Sequence, residues 1–260
     1  MLEVSSTVLW FGVGAIFLAG IVNGMAGFGF ALVGTMVLAT VVDPATAVVF
    51  MIVPILAANV TLVGSLSASE VRTCGRRFAP LLGATLLGTV LGMLVIDSLP
   101  QEALRIGLGV VTLAFVATVQ RRVPLPGLER ATERCFVERP GAMAGVGLVS
   151  GLVFGGTNVG VQLVAYLRSC SLSHGLFVGV VAMVFVGINV VRVGVAGVLG
   201  LYPSPSVAAL SVLAAVPAVA GVWVGSSLRR RIGPVQRSAV VVGLLTVVGV
   251  RLLLGGLGVG

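Results

Sequence analysis

From Val4 to Val42 the chain carries no charged side chain, and glycine interrupts this 39-residue run at its middle, where Asn23 to Gly29 reads NGMAGFG. A hydrocarbon core about 30 Å thick is crossed by about 20 helical residues, so the run holds more than one span of helix. The glycines predict a break inside it. Charge-free runs recur at 44–69, 78–96, 106–120, 140–167, 169–191 and 193–228, and apolar character continues beyond Arg237. With their prolines and flanking charges they predict ordinary helices over about 44–68, 78–97, 102–120, 173–200, 206–228 and 234–254. LYPSPS (201–206) reads as a loop in which proline ends one helix and starts the next.

The pattern is written twice. GAIFLAGIVNGMAGFG (14–29) matches GAMAGVGLVSGLVFGG (141–156) at an offset of 127, pairing Gly20 with Gly147, Gly24 with Gly151 and Gly29 with Gly156. Further on, Asn59-Val60 matches Asn189-Val190, and Gly88 and Gly92 match Gly221 and Gly225 at an offset of 133. Residues 1–119 read as a first transmembrane repeat, 120–139 as a basic linker and 140–260 as a second repeat, together one membrane domain. The predicted fold class is an all-α integral membrane protein of two inverted repeats. Each is a glycine-broken segment, re-entrant or crossing twice, followed by three transmembrane helices.

Arginine position bears on the orientation. If each broken segment crosses once, the basic residues in loops and helix ends divide nine to six, with Arg192 inside a span. If each turns back to the side it entered, thirteen arginines share one side and only Arg105, Arg192 and Arg251 remain. The positive-inside rule makes the favoured side cytoplasmic, linker 120–139 included, with both termini outside.

Composition agrees: 58% of the 260 residues are hydrophobic, 9% are charged and the mean hydropathy is +1.18. The N-terminal stretch has Glu3 and no Lys or Arg, and its apolar run is too long for a signal core, so no cleaved signal is expected. The formal charge of +8 comes from arginines lying between apolar runs without interleaved aromatics, which fits orientation in a bilayer and not nucleic-acid binding. Cys74, Cys135 and Cys170 are isolated, and His174 is the single histidine. Neither a disulfide framework nor a metal site is expected. No Walker motif is present, and neither an enzyme activity nor a cofactor is expected.

A turn inside a bilayer strips backbone groups of helical partners and is tolerated only where they face protein or water. Freed N–H groups at the start of a second arm attract anions. The predicted substrate contacts are therefore the amides of Gly27, Phe28, Gly29 and Phe30 in the first repeat and of Gly155, Gly156, Thr157 and Asn158 in the second. Asn23, Ser150, Thr157, Asn158 and Gln162 add uncharged polar groups. Gly20, Gly24, Gly147 and Gly151 read as helix-packing positions, and Gly27, Gly29, Gly155 and Gly156 as the breaks. Arg192 is the sharpest single residue, since a cation within a span either binds an anion, snorkels to the interface or pairs with a carbonyl. Asn59 and Asn189 are repeat partners that either contact substrate or bond helices together. Asp43-Pro44 reads as an N-cap and N1 pair, and His174 as a helix-start residue.

The duplicated GxxxGMAGFG and GxxxGLVFGG segments, the half-length of about 130 residues and the basic linker resemble the TauE/SafE sulfite exporter (TSUP) family. That resemblance covers nearly the whole chain and implies a cell-membrane secondary transporter of a small anion such as sulfite or an organosulfonate. Alternating access through a central site between the repeats is the expected mechanism, with proton or sodium as possible coupling ion. A sulfur-relay or enzyme subunit using the cysteines, and an anion channel, are the alternatives.

Overall fold

Asp43 accepts the Thr46 N–H at 2.9 Å and Pro44 follows at the first helical position, so a helix starts here as the sequence predicts. Ser204 and Pro205 repeat the device, with the Ser204 hydroxyl accepting from Val207 N–H at 3.3 Å. The computed structural model describes residues 6–39, 41–64, 66–95, 140–170, 172–229, 231 and 233–258, with isolated positions between 102 and 117. The helix expected over 102–120 falls largely outside them, and the linker with Cys135 entirely so.

Helices follow one another in the order α1 (Ser6–Ala26), α2 (Phe30–Leu38), α3 (Pro44–Phe50), α4 (Ile52–Val63), α5 (Ala68–Arg77) and α6 (Ala79–Val95). After the linker come α7 (Pro140–Thr157), α8 (Val161–Ser169), α9 (His174–Val198), α10 (Pro205–Leu213), α11 (Ala215–Arg229) and α12 (Pro234–Gly256). No strand occurs among the described residues. Residues 44–63, 140–157, 175–198 and 205–229 are long and apolar enough to cross a membrane, and the bent pair α5–α6 is a fifth candidate.

Two expected helices are interrupted near a proline. α3 gives way to α4 at Met51, three residues before Pro54, and α10 to α11 at Ala214, three residues before Pro217. Proline has no N–H to offer the carbonyl one turn back. For Pro54 that carbonyl belongs to Phe50, and the buried Ser211 hydroxyl donates to it at 2.6 Å. A backbone group that would otherwise lie unsatisfied in an apolar interior is thus bonded from 161 residues away.

The stretch between the helices predicted over 44–68 and 78–97 is itself helical and forms α5. A capping box starts it: Ser67 N–H and Oγ–H donate to the Glu70 carboxylate at 2.8 and 2.7 Å, and Glu70 N–H donates back to Ser67 Oγ at 3.3 Å. These bonds hold the Glu70 carboxyl below the usual carboxylate range. The chain bends by 75° between α5 and α6.

The described chain forms two compact units, and each takes segments from both sequence repeats. Unit 1 comprises residues 1–72 and 178–237; unit 2 comprises 73–177 and 238–260. In unit 1, α1 packs along α11, which also packs on α4. A Cβ on Gly20 would stand 2.6 Å from the Ala218 carbonyl oxygen, and one on Gly24 would strike the Val222 carbonyl. In unit 2, α6 packs along α7, where Gly151 and Gly155 lie against the carbonyls of Thr85 and Thr89. Small residues let the backbones approach in both pairs, so the packing role expected of Gly20, Gly24, Gly147 and Gly151 is observed.

Candidate functional site

α1 ends because Gly27 takes a left-handed conformation, φ 82°, and its N–H donates to the Asn23 carbonyl at 2.7 Å. Phe28 follows, buried, then Gly29 at φ 101°, which is the N-cap of α2 and supplies no side-chain cap. α7 ends in the same way. Asn158 has φ 61° and its N–H donates to the Phe154 carbonyl at 2.9 Å; Val159 follows, buried, and Gly160 is the N-cap of α8, again without a side-chain cap. Asparagine and glycine are the residues that enter this left-handed region at least cost. The second arms, α2 and α8, have nine residues each and so span about 13 Å, less than half of a hydrocarbon core. α2 packs against α1, and α8 against α7.

The second break therefore lies later than expected. Gly155 and Gly156 are helical residues of α7, and the turn falls on Asn158 to Gly160. Ala26 corresponds to Thr157, Gly27 to Asn158 and Phe30 to Val161, each pair 131 positions apart, and not 127. The packing glycines keep this register: Gly20 corresponds to Gly151 and Gly24 to Gly155. Glycines spaced by four residues match themselves after a shift of one helical turn, so their letters alone leave the register ambiguous. The break resolves it.

Thr157 gives the second break its own hydrogen bonds. Its hydroxyl donates to the Val153 carbonyl at 2.6 Å and accepts the Val159 N–H at 3.1 Å. Ala26 stands at the corresponding place in the first break and has no hydroxyl.

The buried polar side chains of unit 1 include Asn23, Asn59, Asn189 and Arg192. Asn59 Nδ2 donates to the Ile55 carbonyl and Asn189 Nδ2 to the Phe185 carbonyl, both at 2.8 Å, so the two repeat partners make the same bond within their own helices. Arg192 is fully buried, which rules out snorkelling, and its guanidinium donates to Asn189 Oδ1 at 3.3 Å. Asn189 thereby orients the guanidinium one turn away. Arg192 is the only charged side chain buried among the described residues.

Asn23 breaks the pattern. Its Nδ2 is enclosed and has no hydrogen-bond partner among the described residues. In unit 2, Thr85, Thr89 and Thr157 bond the carbonyl four residues back, whereas the enclosed Ser150 Oγ and Oε1 of the partly buried Gln162 have no partner among the described residues. An enclosed polar group left unbonded costs about 1–3 kcal/mol, which marks these positions as places where a polar ligand would be stabilising. Ser150 is one turn earlier in its helix than Asn23 is in its own, once the breaks are superposed by number. Cys74 and Cys170 are buried and not disulfide-bonded; Cys74 is in α5 and Cys170 is the C-cap residue of α8.

The family model described as sulfite exporter TauE/SafE matches residues 12–252. No curated protein and no solved structure matches the chain.

Proposed function

The chain belongs to the TauE/SafE sulfite exporter family, and from that premise we propose that it is a secondary transporter of a small sulfur-containing anion, sulfite or an organosulfonate, working by alternating access. It is a multi-pass membrane protein, and the family implies export of sulfite or a related sulfur anion. The observation that carries the finer reading is Arg192, the only charged side chain buried among the described residues, whose guanidinium is bonded to the neutral Asn189. A cation held in an apolar interior is costly, and an anion bound there offsets that cost. The uncapped starts of α2 and α8 support the same reading, because unsatisfied N–H groups and the helix dipole favour negative charge.

In this proposal Arg192, positioned by Asn189, meets the anionic charge in unit 1. The Asn23 Nδ2 and the N–H groups of Gly29 and Phe30 donate to oxygen atoms of substrate, whereas the Gly27 N–H is held by the Asn23 carbonyl and the Asn59 Nδ2 by the Ile55 carbonyl. Thr157, Asn158 and Gln162 form the polar surface of the break in unit 2. Gly155, which packs on the Thr89 carbonyl, and Gly156, buried within α7, are left out of the proposed site.

The test is an uptake and binding screen in proteoliposomes across sulfite, thiosulfate, sulfoacetate, sulfate and carboxylates. Saturable flux of a sulfur oxyanion is expected, and its absence for every anion sinks the reading. Arg192→Gln removes a charge-assisted contact worth about 1.5–3 kcal/mol, so affinity falls roughly 10- to 150-fold while expression holds. Unchanged affinity removes Arg192 from the site.

A further inference from the structure

Helix α5 lies outside the site and has a face that transport does not explain. Arg72, Arg76 and Arg77 are exposed on it, while Cys74 and the following Phe78 are buried. Arg72 and Arg76 are one turn apart, and the Arg77 guanidinium lies 5.9 Å from the centroid of the Phe78 ring. Glu70 is the sole acidic residue of the helix, and its carboxylate is occupied by the cap at Ser67. The exposed face therefore has basic charge without a carboxylate to neutralise it from the same helix.

Direction is the second observation. α6 is an apolar helix of 17 residues and α5 departs from it by 75°. If α6 runs across the bilayer with an ordinary tilt, α5 lies near the membrane plane. Comparison within the chain is the third. At the offset of 133 that aligns Gly88 with Gly221, the position of α5 corresponds largely to α10, which has no charged residue and belongs with α11 to one apolar span of 25 residues. One repeat continues the helix into hydrocarbon; the other turns it aside and covers it with arginine.

The geometry points to α5 as an interfacial helix that docks on anionic phospholipid headgroups through Arg72, Arg76 and Arg77. Its buried side faces protein, its basic side faces a surface of phosphates, and the capping box keeps the helix formed at the point where the chain leaves the bilayer. The inference needs only that the chain is a membrane protein and is independent of the transported substrate.

The experiment titrates the purified full-length chain, in neutral detergent, with phosphatidylglycerol or phosphatidylcholine and reads bound lipid by native mass spectrometry. The wild-type chain should prefer phosphatidylglycerol, and 0.5 M NaCl should weaken that preference. Each arginine near an anionic surface is worth about fivefold in binding, so the triple Arg72→Gln, Arg76→Gln, Arg77→Gln variant should lose on the order of 100-fold. The triple Lys variant should keep most of it. Should the triple Gln chain fail to fold, Arg72→Gln alone is read against the fivefold expectation. Equal binding of both lipids by the wild-type chain, or an undiminished preference in the Gln variants, overturns the proposal, and the basic face would then suit an acidic partner in water.

Discussion

At the first break a glycine with φ 82° is followed by a phenylalanine and a second left-handed glycine; at the second an asparagine with φ 61° is followed by a valine and a glycine at φ −108°. Both end a long helix by the same bond from the left-handed residue to the carbonyl four positions back. They differ in what enforces it. A Cβ on Gly27 would strike Val178, so space as well as conformation demands glycine there. At Asn158 a side chain is accommodated, and Thr157 adds two hydrogen bonds that Ala26 cannot supply. One turn is held by the shape of its surroundings and the other by polar bonds, which means that the same backbone path does not require the same letters.

The largest expected effect is Gly27→Ala, where left-handed strain and the clash with Val178 together cost about 4 kcal/mol, read as a lowered melting temperature of the full chain in detergent. Adding Val178→Ala should recover only part of the loss, since the strain remains; full recovery would show that space alone selects glycine. Next come Gly24→Ala and Gly155→Ala. Each places a methyl against a backbone carbonyl and should cost about 2 kcal/mol, while Gly14→Ala, which faces open space, should be neutral within about 0.5 kcal/mol. A tolerated Gly155→Ala beside a damaging Gly24→Ala would break the 131-residue correspondence. The smallest effect belongs to the second break, where Thr157→Ala removes two hydrogen bonds and should cost about 1 kcal/mol, read from the melting temperature.

Much of this was legible from the chain. Asp43-Pro44 announced a helix start because capping is local, and the break at NGMAGFG followed from glycine inside an overlong apolar run. The second break was misplaced by a turn because GxxxG spacing is degenerate, and Asn158, a non-glycine residue in the left-handed region, lacks the letter that marks such turns. α5 was missed although Ser67 and Glu70 have capping-box spacing, since its polar composition resembled a loop between spans. The partnership of α1 with α11, and of Ser211 with the Phe50 carbonyl, depends on tertiary pairing across more than 150 residues, which no local pattern encodes. For the candidate site, Arg192 was evident as an intramembrane cation, but its enclosure and its bond to Asn189 required coordinates.

The interleaving of unit 1 also sets a schedule for biosynthesis. Gly24 emerges from the ribosome 201 residues before Gly225, against which its helix closes, so at about 5–20 residues per second α1 waits roughly 10–40 s for its partner. Gly92 and Leu152, which meet in the α6–α7 pair, are separated by only 60 residues, or roughly 3–12 s. The nascent chain thus completes a helix pair of its later-starting unit first, while the glycine face of α1 waits for α11.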